Sequence, residues 1–257
     1  MNNSVDKVLT YTIHEVAPYI NWIYFFHAWG FQPKEKERAK AAEAMQLFKE
    51  ANQMLNQLDK NYHVHIIFRL CEANADGDNP FLCLSDFVRP LSSGIPDTVG
   101  IFAASCDGEV ELLYENDTYK RMLVQTLADR LAEAATEKMH EYVRKVAWGY
   151  AKDENLSIPD LLREKFQGIR PAVGYPSLPD QSVNFLLNDL LHMEQIGITL
   201  TENGAMRPHA TVCGLILAHP AARYFAVGKI GNDQLEDYAR RRKMSVKEIR
   251  KFLAANL

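Results

Sequence analysis

Arg170 stands near the head of the least regular stretch in the 257-residue sequence, Ile169-Arg170-Pro171-Ala172-Val173-Gly174-Tyr175-Pro176-Ser177-Leu178-Pro179, where three prolines and one glycine fall within eleven residues. Proline fixes φ and removes a backbone donor, so this composition predicts a stiff, extended loop outside helix and sheet. Ordered irregular loops are where ligand contacts concentrate. A guanidinium there offers a planar fork to a carboxylate or phosphate, and Tyr175 offers an aromatic face and a hydroxyl. The competing reading is a packing loop whose arginine caps the preceding helix, and spacing alone does not separate the two.

Other residues are weaker pointers. Asp86, within Leu84-Ser85-Asp86-Phe87-Val88, is either an edge-strand solubility device or a ligand for an amine or cation. Asp129 and Glu133 lie four apart on a predicted helix, where like charges repel by a few tenths of a kcal/mol; a solvated acidic face is the ordinary explanation. His63 and His65 share one side of a predicted strand but lack a third metal ligand at a recognisable spacing. Cys71, Cys83, Cys106 and Cys213 form no C-x-x-C pair and read as small hydrophobes in a reducing compartment. No G-x-S-x-G is present.

The elements that must position these residues follow from periodicity. An aromatic-rich opening places Tyr19, Trp22, Phe26 and Trp29 on one helical face, an anchor for the main body. A helix is predicted over 35–59, with Ala41, Met45, Phe48, Met54, Leu55 and Leu58 at helical spacing. Strands are predicted over 62–70, 98–105 and 109–113. Asp117 caps a long helix over 119–148, whose Ala128, Ala132 and Ala135 permit close approach of another element. A helix capped by Ser157 ends near Gly168, another spans 181–196, and strands follow at 198–201, 211–218 and 224–230. Two helices, over 233–241 and after Ser245, close the order. Strands in two blocks predict an α+β fold with a largely antiparallel sheet.

Composition excludes several classes. The net charge of −4 argues against a nucleic-acid binder, which needs Lys and Arg to displace counterions. With 13 glycines and neither G-x-G-x-x-G nor G-x-x-x-x-G-K-[ST], a phosphate-cradling fold is not expected. The most apolar stretch, 16–31, is broken by Asn21 and His27 and is too short to span a bilayer. No signal peptide precedes it, so a cytoplasmic protein without membrane partners is expected.

Taken together, the motifs go further. Arg170-Pro171-Ala172-Val173-Gly174-Tyr175-Pro176 resembles the R-P-A-x-G-Y-P signature of the activation domain of cobalamin-dependent methionine synthase. The resemblance extends through 128–133, 143–146, 148–151, Glu154-Asn155-Leu156, His219-Pro220 and 237–241, in the family's order and over nearly the whole sequence. It implies a C-shaped single-domain α+β fold with a twisted antiparallel sheet flanked by helices, an anchor segment at 1–35, and an S-adenosylmethionine-binding domain at 36–257. Residue by residue, it implies that Asp86 and Glu133 meet the ligand's cationic, amino-bearing end. Arg170 would hold the ligand's carboxylate. Ala172, Gly174, Tyr175, Tyr224 and Phe225 would contact its nucleoside and sulfonium regions. Asp129 would face the cobalamin-bearing partner. Two departures stand out: Tyr224-Phe225 where the family often has two tyrosines, and Arg207-Pro208-His209 where it has Trp-Pro-Gly.

The sequence has no D-x-H-x-x-G cobalamin-ligand motif, since Asp189-Leu190-Leu191-His192 has the wrong spacing, and its length leaves no room for homocysteine, folate and cobalamin modules. The expectation is a free-standing subunit. It would bind S-adenosylmethionine and support reductive methylation of inactive cob(II)alamin on a separate synthase core, for methionine biosynthesis. A flavodoxin-like protein would supply the electron. The alternatives are an S-adenosylmethionine sensor without methyl transfer, or a reactivator of another corrinoid protein.

Overall fold

The computed structural model describes residues 6–31, 38–76 and 82–257. Along the chain come β1 (Lys7–Thr12), α1 (Ile13–Val16), α2 (Trp22–Ala28), α3 (Arg38–Leu58), β2 (His63–Ala73), β3 (Asp97–Cys106), α4 (Thr118–Tyr142) and α5 (Ile158–Leu161). They are followed by α6 (Val183–Leu191), β4 (Thr199–Leu200), β5 (Met206–Arg207), β6 (Thr211–Ile216), α7 (Asn232–Arg242) and α8 (Val246–Phe252).

The fold is α+β, built on a four-stranded sheet in the order β1-β2-β3-β6, with every pair antiparallel. Alternation decides which residue faces which layer. Val64, Ile66 and Phe68 of β2, with Phe102 and Ala104 of β3, pack under α4. Ile67, Ile101, Ala103 and Cys213 face the opposite way, against Val183, Leu187 and Leu191 of α6. The small-residue face of α4 lets it lie close to the sheet, with Ala128, Ala132 and Ala135 all buried. Among the described residues no helix is long and apolar enough to cross a membrane.

Several elements differ from expectation for identifiable reasons. Residues 109–113 alternate like a strand but form a 3-10 turn, Gly108–Leu112, that buries Val110 alone; so short a pattern fits either state. Residues 224–230 form no strand because the outer edge of β6 is already taken. Ile169 and Leu217 exchange backbone bonds at 2.9 Å, and Val173 N–H donates to Cys213 O at 2.9 Å. The proline-rich loop, expected to lie outside helix and sheet, thus runs partly along β6.

The edge strand β1 had too weak a pattern to read, with exposed Lys7 and Val8. In α3 the buried face is Leu47, Ala51, Met54, Leu55 and Leu58, leaving Met45 exposed; the predicted start at 35–37 lies outside the described residues. The predicted helix 181–196 breaks at His192, which adopts a left-handed φ of 52°, before a 3-10 turn over Met193–Ile196. Helix α5 is one turn long and stops well before Gly168, while α4 continues into a π-helical turn, Val143–Ala147.

Candidate ligand site

A cavity of about 790 Å³ opens between α2, α4, the proline-rich loop and the Tyr224-Phe225 segment. Helix α4 contributes Thr126, Asp129, Arg130, Glu133 and Glu137 to its lining, residues on one face at helical spacing, with Asp129 and Arg130 adjacent. The opposite wall is Arg170, Pro171, Ala172, Tyr175, Pro176 and Ser177, with Tyr224 and Phe225 beside them.

The loop reaches this position because two glycines permit it. A Cβ on Gly214 would lie 2.2 Å from Pro171 O and 2.8 Å from Ala172 Cα, so only glycine lets the loop lie against β6. Gly174 has a φ of +88°, which turns the chain so that Gly174 N–H donates to Leu178 O at 2.8 Å and Tyr175 is projected to the cavity.

Arg170 is 7% exposed and donates from Nη2 to Glu137 Oε1 at 2.5 Å. Burial disfavours its charge more than any other single influence, but the Glu137 carboxylate, Tyr224 and Glu133 together outweigh it and hold the guanidinium above its ordinary pKa. Its Nε is buried without a hydrogen-bond partner among the described residues. Buried donors are normally satisfied, so the protein's own described groups do not saturate the guanidinium of this cavity-lining residue. The backbone N–H of Arg170 donates to Tyr224 Oη at 3.0 Å, leaving the Tyr224 hydroxyl proton available.

Tyr175 donates its hydroxyl to Glu133 Oε1 at 2.9 Å, and burial, reinforced by Glu133, pushes that hydroxyl up to about 12. Glu164, also in the lining, has a φ of 57° and a carboxyl raised by burial and then by Glu137. The lining carboxylates Asp129, Glu133, Glu137 and Glu164 outnumber the guanidiniums Arg130 and Arg170, so the cavity favours a ligand carrying positive charge and at least one carboxylate. Asp129 accepts from His209 Nδ1 at 3.2 Å if that nitrogen carries the proton, and burial raises its carboxyl above the usual value.

Of the residues singled out by sequence, Asp129, Glu133, Arg170, Ala172, Tyr175, Tyr224 and Phe225 meet in this lining. Gly174 shapes the turn behind it. Asp86 does not line the cavity; its carboxylate accepts from Cys83 N–H at 2.9 Å and Cys83 Sγ at 3.3 Å, closing a 3-10 turn. That turn borders the site through Phe87, which packs in one cluster with Phe225. Glu137 was missed, although its place one turn beyond Glu133 was legible. Glu164 and His27 carried no sequence signal, whereas Tyr19 and Tyr24, which join His27 in one wall, belong to the aromatic-rich opening read as an anchor.

The histidine pair lies elsewhere, with His65 lining a second cavity of about 500 Å³. His65 Nε2 is 2.8 Å from Asp107 Oδ1, and its Nδ1 is 3.1 Å from Thr10 Oγ1. Among the described residues, no group of three or more His, Cys, Asp or Glu could hold a metal ion. The four cysteines are free; burial pushes Cys106 and Cys213 up to about 12.

Residues 12–82 and 76–243 match the family model of the vitamin B12 dependent methionine synthase activation domain. The chain belongs to this family. Among solved structures, it is similar to the crystal structure of the MetH reactivation domain bound to AdoHcy, with 37% identity and a TM-score of 0.92. That likeness covers 100% of this chain and 91% of the other. The antiparallel sheet agrees with the expected fold.

Proposed function

We propose that the large cavity binds S-adenosylmethionine and that the chain supports reductive methylation of cobalamin on a separate, cobalamin-bearing methionine synthase core. The observation that carries the reading is Arg170: a buried guanidinium, its Nε unpartnered among the described residues, lining a cavity whose charged groups are otherwise mostly carboxylates. S-adenosylmethionine has one carboxylate, one ammonium and one sulfonium, and the available residues fit that pattern. The AdoHcy-bound relative supports the same ligand class.

In this reading Arg170 takes the ligand's carboxylate through its remaining donors, while Glu137 holds the guanidinium in place. Glu133 takes the ammonium, exchanging its bond from Tyr175 for a charged one. Ala172, Tyr175, Tyr224 and Phe225 bound the nucleoside and sulfonium regions, and Gly174 sets the turn that places Tyr175. Asp86 joins Glu133 at the amino end by exchanging its bonds to Cys83 for the ligand. Asp129, beside His209, faces the cobalamin-bearing partner. Residues 36–257 form the ligand-binding domain, with the 1–35 anchor adding a wall through Tyr19 and Tyr24.

Bound S-adenosylmethionine supplies an electrophilic methyl group, and a flavodoxin-like donor supplies the electron. The chain's own contribution is to fix the ligand's orientation and exclude water. Calorimetry with S-adenosylmethionine tests binding. Mixing the chain with a cobalamin-bearing core, reductant and methyl-labelled S-adenosylmethionine tests transfer. Label reaching the partner's corrinoid is expected. Binding without transfer to any corrinoid protein would overturn reactivation in favour of a sensor, and no binding would overturn the whole reading.

A further inference from the structure

Behind the proline-rich loop, and outside the cavity, lies a buried polar cluster. The Asp180 side chain is 4% exposed. Its Oδ2 accepts from Tyr238 Oη at 2.6 Å, Arg242 Nη1 at 2.8 Å and Ser182 Oγ at 2.8 Å, while Oδ1 accepts from Ser182 N–H at 2.8 Å. Arg242 also donates to Tyr238 Oη at 3.0 Å and Ser182 Oγ at 3.1 Å. Tyr238 and Arg242 lie on α7, which packs with α8 around a separate small core of Leu235, Ala239, Ile249 and Leu253.

Burying charged partners costs desolvation that their attraction does not reliably recover, so such a cluster is weak evidence for stability alone. What it does fix is geometry. Between Asp180 and Tyr175 lie only Pro176, Ser177, Leu178 and Pro179, and the two prolines hold φ nearly constant. A turn bond from Leu178 N–H to Tyr175 O at 2.9 Å shortens the link further. Moving Asp180 therefore moves Tyr175.

We infer that Asp180, held by Tyr238 and Arg242, is a positioning residue for the ligand site: the α7–α8 pair sets where Tyr175 stands without touching the ligand. This rests on the S-adenosylmethionine reading. The test is a cycle of calorimetric affinities for S-adenosylmethionine in wild type, Asp180→Asn, Tyr175→Ala and the double variant, with melting curves confirming that each is folded.

Asp180→Asn is expected to weaken binding at least fivefold in wild type, but less than twofold when Tyr175 is already alanine. Equal losses in both backgrounds would mean general destabilisation and overturn the inference, as would unchanged affinity in Asp180→Asn or Tyr175→Ala. If Asp180→Asn does not fold, Tyr238→Phe replaces it, with a loss of twofold or more expected on the same cycle. A wild-type chain that fails to bind removes the underlying reading and this inference with it; a binding wild type with an additive cycle removes only the inference.

Discussion

Two cavities among the described residues of this activation-domain chain both carry titratable side chains and differ in what those side chains have left to offer. In the smaller one, His65 places one ring nitrogen against Asp107 and the other against Thr10. In the larger, Arg170 reaches Glu137 through Nη2 while Nε has no partner among the described residues, and Tyr224 accepts a backbone bond with its own proton still available. Titratable side chains mark both places. Unmet hydrogen-bonding capacity beside a charge imbalance marks only the second, and that is the better indicator of a ligand.

The most direct way to break this contrast is Arg170→Ala. It should weaken S-adenosylmethionine binding by about 10- to 150-fold, the range for charge-assisted hydrogen bonds, measured by calorimetry. Unchanged affinity would put the ligand elsewhere. Glu133→Gln should follow with about a tenfold loss on the same measurement, since it leaves an amide facing the ammonium.

His140, fully buried near Arg170, gives a pH signature. Burial, then the Arg144 and Arg170 charges, lower its pKa well below the ordinary value. The unfolded chain takes up a proton below about pH 6.5 that the folded chain refuses, so stability falls as pH is lowered, by up to about 1.4 kcal/mol per pH unit for one group. Urea unfolding at pH 7.5 and 5.5 should show a larger loss for wild type than for His140→Asn.

Asp129 has the opposite sign of carboxylate behaviour from a salt-bridged acid. Its raised pKa means the folded chain keeps the proton longer, so stability is lost as pH rises from the unfolded value through the folded one. Asp129→Asn should therefore melt slightly higher than wild type at pH 7 and match it near pH 3. The smallest effect belongs to the other cavity: His65→Ala should leave S-adenosylmethionine affinity unchanged, and a loss comparable to that of Glu133→Gln would erase the distinction between the two cavities.

Much of the site was legible because the loop's composition is extreme. Prolines at 171, 176 and 179 around Gly174 admit few conformations, and the family signature spans the same residues. Helix α4 was legible through its spacing and its Asp117 cap, which accepts from Lys120 N–H at 3.1 Å. Asp86 illustrates the reverse: a carboxylate three residues beyond Cys83 can close its own turn, and sequence does not show whether it does so or reaches outward. The supposed strand over 224–230 failed because strand pairing depends on a free edge, which is a property of the assembled sheet.

By itself, then, the sequence determined local stiffness, helical faces, strand alternation and a charge inventory, because these depend on residue type and near-neighbour spacing. Tertiary structure alone decided that Glu137 holds Arg170, that Gly214 lets the loop lie along β6, and that Asp180 ties the loop to α7. Each joins residues 33 or more positions apart. No local periodicity encodes such meetings; they follow from layers packing around a shared core, which fixes the distances between groups that are remote along the chain.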